Sequence, residues 1–189
     1  IYSLGTINIF GGEISGNEAE TNDTNNYYTL GGAISNESGT VNIKGGKIGS
    51  NGKPNKATEA AAIMSWGYYD AENQEWIGVI EIDGEDAEIS YNETYDGGYT
   101  GGIENVGGYL HLKNGSISNN KASYCTGVAN YYRKSANSEA YFLMESGSIY
   151  NNIAQGAKYS NSAGIYNSWS NFDMRGGSIS GNQCIANVE

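Results

Sequence analysis

The chain contains the same short unit, Ile-x-x-Asn, six times, and a glycine-containing bend precedes each copy. The copies begin at Ile14, Ile48, Ile89, Ile117, Ile149 and Ile179. Successive isoleucines are 34, 41, 28, 32 and 30 residues apart. A unit of this length cannot bury an apolar face alone, whereas stacked units share one continuous core. The repeat therefore predicts a solenoid in which each copy belongs to one rung.

A segment with alternating apolar and polar residues precedes each bend. Its second and fourth positions are apolar in every copy, which places one strand face toward a core. The six segments are 6–10, 40–44, 79–83, 109–113, 141–145 and 171–175. The Ile-x-x-Asn unit predicts a second strand, and Gly31-Gly32-Ala33-Ile34 with its counterparts predicts a third. We therefore predict an all-β, right-handed, single-stranded parallel β-helix of about six rungs with three short strands each, forming a single domain over residues 1–189.

The repeated asparagines are best interpreted as part of the scaffold. An Asn at a rung corner can adopt left-handed backbone angles and hydrogen-bond to its equivalent on the next rung. Stacked amides would satisfy turn groups that would otherwise be buried without partners. The predicted ladder consists of Asn17, Asn51, Asn92, Asn120, Asn152 and Asn182.

The alternation of Ile-x-x-Asn with Gly-Gly-Ala-Ile resembles the paired Phe-x-x-Asn and Gly-Gly-Ala-Ile motifs of the bacterial polymorphic membrane protein adhesins. The resemblance covers nearly the whole chain, but Ile replaces Phe, and only Gly31 to Ile34 matches the tetrapeptide fully. Similar short motifs occur in pectin-lyase-like β-helix enzymes. The resemblance implies a secreted or surface-displayed β-helix that attaches to a partner.

Composition limits the kinds of partner. The net charge is -11 with ten Lys and Arg residues, which disfavours nucleic acid and anionic membrane surfaces. No apolar stretch of about 18 residues is present, so membrane insertion is not expected. Host or environmental proteins and glycans are the expected partners, in an extracellular location. Cys125 and Cys184 lie about two rungs apart, beyond comfortable disulfide reach, and are expected to be free, packed thiols.

Both ends of the sequence fall within the repeat. The chain starts directly on a rung at Ile1, without a signal-peptide pattern, and Cys184 to Glu189 stop partway through another. We therefore expect a fragment of a longer surface protein. Exposed end rungs would allow self-association.

A catalytic candidate lies on one predicted outward face. The column Asn8, Asn42, Glu81, His111, Leu143 and Asp173 places the only histidine beside an acidic residue. Glu81, His111 and Asp173 are weak candidates for acid, base or orienting groups, because no nucleophile motif or metal-ligand spacing accompanies them. The next column, which contains Lys44, Asp83, Lys113, Glu145 and Arg175, predicts ion pairs between rungs. The acidic run 83–88 is expected to be a solvated bulge, and neither a metal nor a cofactor is predicted.

Aromatic residues concentrate in the connections of unequal length. One set, with Tyr27, Tyr28, Tyr95, Tyr99, Tyr124 and Tyr159, should form a ridge at one corner. A second set should gather at another corner and is the predicted ligand-binding surface. It consists of Trp66, Tyr68, Tyr69, Trp76, Tyr131, Tyr132 and Trp169. Sixteen tyrosines against three phenylalanines favour rings that are partly wet and able to contact a ligand.

These observations favour a non-enzymatic adhesin or binding module that recognises a host protein or glycan through aromatic loops on a rigid β-helix. Two alternatives remain open. One is a polysaccharide lyase or glycoside hydrolase of the β-helix class, using Glu81, His111 and Asp173. The other is a structural spacer of a surface protein.

Overall fold

The predicted parallel β-helix is confirmed. The computed structural model describes residues 1–20, 30–156 and 162–185. In these residues the chain winds through four parallel sheets, which we name A to D in the order in which each rung visits them. Every strand of a sheet pairs in parallel with its equivalents in the neighbouring rungs. The solenoid prediction is therefore correct in both strand direction and repeat.

Three of the sheets contain six strands and the fourth contains five. Sheet A consists of Tyr2–Ser3, Ile34–Glu37, Ile63–Trp66, Ile103–Val106, Val128–Tyr131 and Ile165–Ser168. Sheet B consists of Thr6–Ile9, Thr40–Ile43, Val79–Ile82, Tyr109–Leu112, Tyr141–Met144 and Asn171–Met174. Sheet C consists of Glu13–Ile14, Lys47–Ile48, Glu88–Ser90, Ser116–Ser118, Ser148–Tyr150 and Ser178–Ser180. Sheet D consists of Lys56–Ala57, Glu93–Thr94, Lys121–Ala122, Ile153–Gln155 and Gln183–Ile185.

Sheet D is a fourth strand per rung, where the sequence predicts three. Its strands have only two or three residues, for example Lys56–Ala57 and Ile153–Gln155. Alternation of apolar and polar residues cannot be recognised in so short a segment, because only one side chain of each strand points inward. Here that side chain is small, as with Ala57, Ala122 and Ala154, all of which are buried.

The core is a set of apolar columns that run along the solenoid axis. Parallel pairing keeps equivalent positions in register, so Leu110 lies between Ile80 and Phe142 in sheet B. Ile89 and Ile117 are neighbours in sheet C, and both are fully buried. Four of the six repeat isoleucines, Ile48, Ile89, Ile117 and Ile149, are fully buried core residues, and their burial explains the period.

The Asn ladder exists, with one change of membership. The Asn92 side chain donates to Asn120 Oδ1 at 2.9 Å, and the Asn120 side chain donates to Asn152 Oδ1 at 3.0 Å. In the second rung, Asn55 and not Asn51 holds this place, donating to Asn92 Oδ1 at 2.8 Å. The prediction for Asn51 is wrong because residues 50–54 form an inserted turn, closed by a hydrogen bond from Lys53 N to Ser50 O. Asn51 is exposed on that turn.

The left-handed residue also differs from the prediction at five of the six ladder corners. There it is the residue before the ladder Asn: Gly16, Tyr91, Asn119, Asn151 and Gly181 have φ between 54° and 68°. The ladder asparagines Asn92, Asn120 and Asn152 have negative φ. Gly and Asn tolerate this conformation, whereas a tyrosine there is unusual.

Replacing Tyr91 with Asn should therefore stabilise the protein. Tyr91 has φ 59°, and Asn already occupies the same corner at Asn119 and Asn151. We expect a gain of about 0.5 to 1 kcal/mol in the free energy of unfolding, because the left-handed strain falls while the fold is unchanged. Chemical denaturation measures this change in the free energy of unfolding. The matched control is Tyr150→Asn, which removes a tyrosine two rungs further along the solenoid whose φ is not positive. A loss of stability in Tyr91→Asn equal to that of the control would contradict the strain argument.

Candidate functional site

Two long connections between sheets A and B meet at one corner of the solenoid. The first is an antiparallel hairpin, Tyr68–Asp70 with Glu75–Ile77, in the third rung. The second is loop 132–140 in the fifth rung, which contains the 3₁₀ helix Lys134–Ala136. The intervening rung turns tightly through Gly107 and Gly108, so the two insertions can lie against each other.

Hydrogen bonds fix the hairpin to the loop. Tyr69 N donates to Ser138 Oγ at 3.0 Å, and Ser138 Oγ donates to Gly107 O at 3.0 Å. The Arg133 guanidinium lies 5.8 Å from the Trp66 ring centroid and donates to Gly67 O at 3.3 Å. The serine is buried, so these bonds are shielded from water. The hairpin is thus held in one position over the solenoid.

The hairpin folds back over sheet B and completes an aromatic platform, which we define as Tyr69, Trp76, Tyr109 and Tyr141. The Trp76 ring stacks on Tyr109 at 5.7 Å between centroids, and Tyr109 stacks on Tyr141 at 5.7 Å. Trp76 also lies 5.1 Å from Tyr69 and 6.3 Å from Tyr141. Four rings from three rungs therefore form one continuous aromatic surface.

A row of charged and polar side chains runs beside the platform on the same outward face. His111 Nε2 lies 3.0 Å from Glu145 Oε2, and Lys113 Nζ lies 2.9 Å from Glu81 Oε2. Arg175 also contacts Glu145, at 3.8 Å. The hydrogen bond that Lys113 donates to the Glu81 carboxylate raises the pKa of Lys113, which keeps this amine charged. The row presents fixed donors and acceptors next to the rings.

Platform and row are in direct contact at two points. The Tyr109 ring meets the His111 ring edge-on at 5.8 Å. The Tyr141 hydroxyl donates to Asp173 Oδ2, and this hydrogen bond raises the pKa of Tyr141. Burial raises the pKa of Tyr109 as well. Both tyrosine hydroxyls therefore stay protonated and neutral in neutral solution.

The three predicted catalytic residues share one column but do not form one cluster of contacts. Glu81 is the register neighbour of His111, yet its carboxylate pairs with Lys113. His111 contacts Glu145 instead, and Asp173 accepts from Tyr141. Leu143 separates His111 from Asp173 along the column. Each group thus has its own partner.

The predicted ion pairs along the outward column form only in part. Glu145 pairs with Arg175 as expected, whereas Lys113 pairs with Glu81 of the neighbouring column. Among the described residues, Lys44 and Asp83 make no ion pair within 4.0 Å. Long side chains reach diagonally as well as directly across strands, which a column read from sequence does not capture.

The predicted aromatic ligand residues separate into different environments. Tyr69 and Trp76 belong to the platform, and Tyr68 is exposed on the hairpin. Trp66 faces Arg133, while the Tyr132 hydroxyl donates to Asn137 Oδ1 at 2.6 Å.

Two further members of that set lie away from the platform. Tyr131 contacts Tyr166 at 5.3 Å between centroids, and its hydroxyl lies 3.7 Å from Cys125 Sγ. Burial raises its pKa strongly. Trp169 is 85% exposed and has positive φ.

The sequence reasoning missed Tyr109 and Tyr141 as members of the surface. Both occupy the first, outward position of sheet B strands, where Thr6, Thr40 and Val79 stand in the earlier rungs. The signal is the change from small residues to tyrosine in a single column. This change could have been recognised once the outward face of sheet B was assigned. That the two tyrosines belong to an aromatic surface depends on the hairpin that folds over them, which the column does not show.

A second aromatic contact lies at the corner between sheets D and A. Tyr99 stacks on Tyr124 at 5.1 Å, as part of the predicted ridge. Tyr27, Tyr28 and Tyr159 lie outside the described residues. A polar groove of about 490 Å³ follows sheet D nearby and includes Lys56, Glu93 and Lys121.

The cysteines and the acidic run complete the inventory of reactive groups. Neither cysteine forms a disulfide with a described residue; Cys125 is buried as predicted, but Cys184 is exposed, because no described rung covers its side of the last turn. In the acidic run, Glu88 pairs with Lys47 at 3.1 Å.

Within residues 1–20, 30–156 and 162–185, no group of three His, Cys, Asp or Glu side chains is placed to hold a metal ion. The same residues contain no helix that is long and apolar enough to span a membrane.

Comparisons with known proteins do not add a relative. A scan of protein-family models finds no match, and neither a curated protein nor a solved structure matches the chain. The resemblance to the polymorphic membrane protein adhesins stays a prediction, and the proposal for function rests on the geometry of the site.

Proposed function

We propose that the protein is a non-enzymatic, extracellular binding module that holds a neutral glycan chain on the aromatic platform. The observation that carries this proposal is the stack of Trp76, Tyr109 and Tyr141, with ring centroids 5.7 Å apart, beside fixed hydrogen-bonding groups. Surface display, adhesion and a bacterial source belong to the same proposal and are supported by the repeat motifs.

The platform suits sugar rings for an electrostatic reason. An aromatic face carries partial negative charge, so it attracts the C–H groups that cover one side of a pyranose ring. The rings of Trp76, Tyr109 and Tyr141 come from three successive rungs and lie 5.7 to 6.3 Å from one another. Together they can contact more than one sugar of a chain, which a single exposed aromatic residue cannot provide.

The polar row supplies the hydrogen bonds that sugar hydroxyls require. Glu81 and Glu145 offer carboxylate acceptors, and Lys113 and Arg175 offer donors. Because these groups already contact one another, their positions are set before a ligand arrives, which lowers the entropy lost on binding. An acidic polysaccharide is disfavoured by the net charge of -11.

Substituting Trp76 with Ala should weaken glycan binding about tenfold or more, since a central aromatic anchor contributes about 2 kcal/mol. Titration calorimetry with soluble β-glucan, xylan and mannan measures the affinity, with polygalacturonate as the acidic comparison. The matched control is Trp169→Ala, which removes an exposed tryptophan that makes no ring contact with any described residue. Equal affinity in the two variants would contradict the platform assignment, and no binding to any of these polysaccharides would contradict the proposal itself.

Cleavage of the bound chain is a second candidate, favoured by the 3.0 Å contact of His111 with Glu145 beside the platform. If the protein cleaves the chain, incubation with the same polysaccharides should release new reducing ends or unsaturated products. His111→Ala should then abolish product release while Trp76→Ala weakens substrate binding. Binding without product, in the unaltered protein, would leave the non-enzymatic function.

A further inference from the structure

The chain contains two Asn-Gly pairs, and the solenoid holds them in different surroundings. Asn51-Gly52 lies on the inserted turn 50–54 between sheets C and D, and Asn114-Gly115 lies at a bend between sheets B and C. Asparagine is thermally labile, and most so before glycine, because no Cβ hinders attack by the glycine nitrogen on the Asn side chain. Both pairs share this local chemistry, so their surroundings decide which one reacts.

The reaction converts the side-chain amide into a carboxylate in two steps. In the first, the glycine backbone nitrogen loses its proton to a base and attacks Cγ of the asparagine, which closes a succinimide ring. The bond from Cγ to Nδ2 breaks, and Nδ2 leaves as ammonia with the proton that the backbone gave up. In the second, one water molecule opens the ring at either carbonyl and leaves aspartate or isoaspartate. One water is consumed, one ammonia is released and nothing is oxidised.

The inserted turn leaves the Asn51 pair free to follow this course. Lys53 N donates to Ser50 O at 2.9 Å, so Asn51 and Gly52 occupy the two central positions of a four-residue turn. Both are exposed. Neither the Asn51 side chain nor Gly52 N makes a hydrogen bond with a described residue. Nothing lies within 4 Å of the place where a Gly52 Cβ would stand, so a ring can close there without a clash.

Neighbouring rungs hold the Asn114 pair on both sides. Asn114 N donates to Ile82 O at 3.2 Å, and Gly115 O accepts from Ser148 N at 3.0 Å. Space is also lacking, since a Cβ on Gly115 would lie 2.7 Å from Ala87 O.

The nitrogen that would attack Asn114 is occupied as well. Gly115 N donates to Asn114 Oδ1 at 3.0 Å. A donor to a carbonyl oxygen lies close to the plane of that group, whereas attack on Cγ must come from above the plane. The hydrogen bond that satisfies Gly115 N therefore keeps this nitrogen away from the attacking position.

We propose that Asn51 is a site of spontaneous deamidation in the folded protein, and that Asn114, although glycine follows it too, is protected. The fold should persist after the reaction, because Asn55 and not Asn51 stacks in the Asn ladder. The buried hydrogen bonds between rungs are therefore unaffected by the new carboxylate.

The product differs from the starting protein by one negative charge. Each event adds to a net charge that is already -11. The turn borders a hollow of about 170 Å³ that also includes Tyr91, Glu93 and Lys121, so this hollow becomes more acidic as the protein ages. The inference does not depend on glycan binding, because the turn joins sheets C and D, whereas the platform lies on sheet B.

The experiment compares the two sites in one molecule, folded and unfolded. The unaltered protein is incubated in mildly alkaline buffer made with water that carries heavy oxygen, and a parallel sample is incubated in guanidinium chloride. Tryptic peptides 48–56 and 114–121 carry the two sites, and fragmentation in a mass spectrometer locates the incorporated label. In the folded protein Asn51 should react about tenfold or more faster than Asn114, because Asn114 reacts only during local opening. In guanidinium chloride the two rates should become similar, since only the shared Asn-Gly chemistry remains.

Two variants make the assignment specific. Asn51→Gln keeps an amide but adds a methylene, which disfavours ring closure, so the acidic form that anion exchange separates from the folded protein should not accumulate. Asn114→Gln is the matched control and should leave that accumulation unchanged. Circular dichroism checks the fold of both variants, and the label in the unaltered protein depends on neither of them.

Any of three results would overturn the proposal: no label at Asn51 in the folded protein, label at Asn114 as rapid as at Asn51, or the same difference between the two sites in guanidinium chloride. The last result would show that the flanking sequence, and not the inserted turn, sets the rates.

Discussion

Replacing Glu104 with Gln should raise the stability of the protein at pH 8 and remove most of its decline between pH 5 and pH 8. Glu104 lies on the outer side of sheet A but is only 4% exposed, because neighbouring connections cover it. Its Oε2 accepts a hydrogen bond from Thr100 Oγ1 at 3.0 Å. The glutamate is thus a buried acid with a neutral hydrogen-bond partner.

Its surroundings favour the protonated form. Burial raises the pKa of Glu104 to about 8, and the charge of Glu59 adds to the rise, while the hydrogen bond from Thr100 opposes it. Burial raises the pKa of Glu59 too, and its Oε2 has no hydrogen-bond partner among the described residues. Two carboxyl groups in one poorly solvated place cannot both ionise without cost.

The direction of the pH effect follows from proton binding. With a pKa of 4.5 in the unfolded chain and about 8 in the folded one, the folded state holds a proton that the unfolded state releases. Stability is therefore full below about pH 4.5 and falls as the pH rises toward 8. A shift of this size corresponds to about 3 to 5 kcal/mol at most. Gln keeps the shape and the acceptor oxygen for Thr100, and it does not ionise.

Chemical denaturation at pH 5, 6, 7 and 8 measures the difference between the unaltered protein and Glu104→Gln. The two curves should nearly coincide at pH 5 and diverge above it. Glu85→Gln is the matched control, since Glu85 is exposed and should leave the pH dependence unchanged. Parallel curves for Glu104→Gln and the unaltered protein across the whole range would show that Glu104 is ionised in the folded state.

Tyr131 lies near Glu104 and Cys125 and is therefore not part of the platform. Burial, then the neighbouring Cys125 and Glu104, raise the pKa of Tyr131, and its ring lies against Tyr166. The tyrosine covers the outer side of sheet A instead of facing a ligand. The sequence alone does not distinguish Tyr131 from Tyr132 as a ligand contact. Alternation places the two side chains on opposite faces of the strand, but it does not say which of these faces is covered by other residues.

The fold could be predicted because its signals repeat. Six copies of one column pattern fix the register of sheets B and C, and the core position of the isoleucines in the inner rungs follows directly. Single-copy features carry no such redundancy. The turn 50–54 moves the ladder position from Asn51 to Asn55, and the spacing of 41 residues shows an insertion without locating it.

The candidate site was predicted in part for the same reason. The aromatic connection 66–76 could be recognised as unusual, so Tyr69 and Trp76 were identified. Their partners Tyr109 and Tyr141 depend on how the hairpin folds, and its position is set by the buried hydroxyl of Ser138. One serine in a loop gives no sequence pattern, although it determines which rings meet.

Removing one internal ladder side chain should be among the most costly single changes in the chain. Asn120 is fully buried, and its side chain donates to Ile89 O at 3.0 Å and to Asn152 Oδ1 at 3.0 Å. Its Oδ1 also accepts from both Asn92 N and Asn92 Nδ2. Asn120→Ala therefore leaves several buried groups without partners, and each costs about 1 to 3 kcal/mol.

We expect Asn120→Ala to lower the free energy of unfolding by about 3 kcal/mol or more, which corresponds to a fall of about 6 to 12 °C in melting temperature for a chain of this size. Asn55→Ala should be equally damaging, because Asn55 makes the same kinds of hydrogen bond, donating to Ile14 O and Asn92 Oδ1. Asn51→Ala is the matched control and should change stability by less than about 0.5 kcal/mol, since Asn51 is exposed.

Thermal unfolding of the three variants separates two explanations of the repeat. If position in the motif determined the role, Asn51→Ala would be the costly change and Asn55→Ala the neutral one. If stacking between rungs determines it, the order is reversed, because only Asn55 has a ladder asparagine both before and after it in register. The second order is the one that the hydrogen bonds require, and it makes burial between two rungs, and not the Ile-x-x-Asn spacing, the physical reason that these asparagines recur.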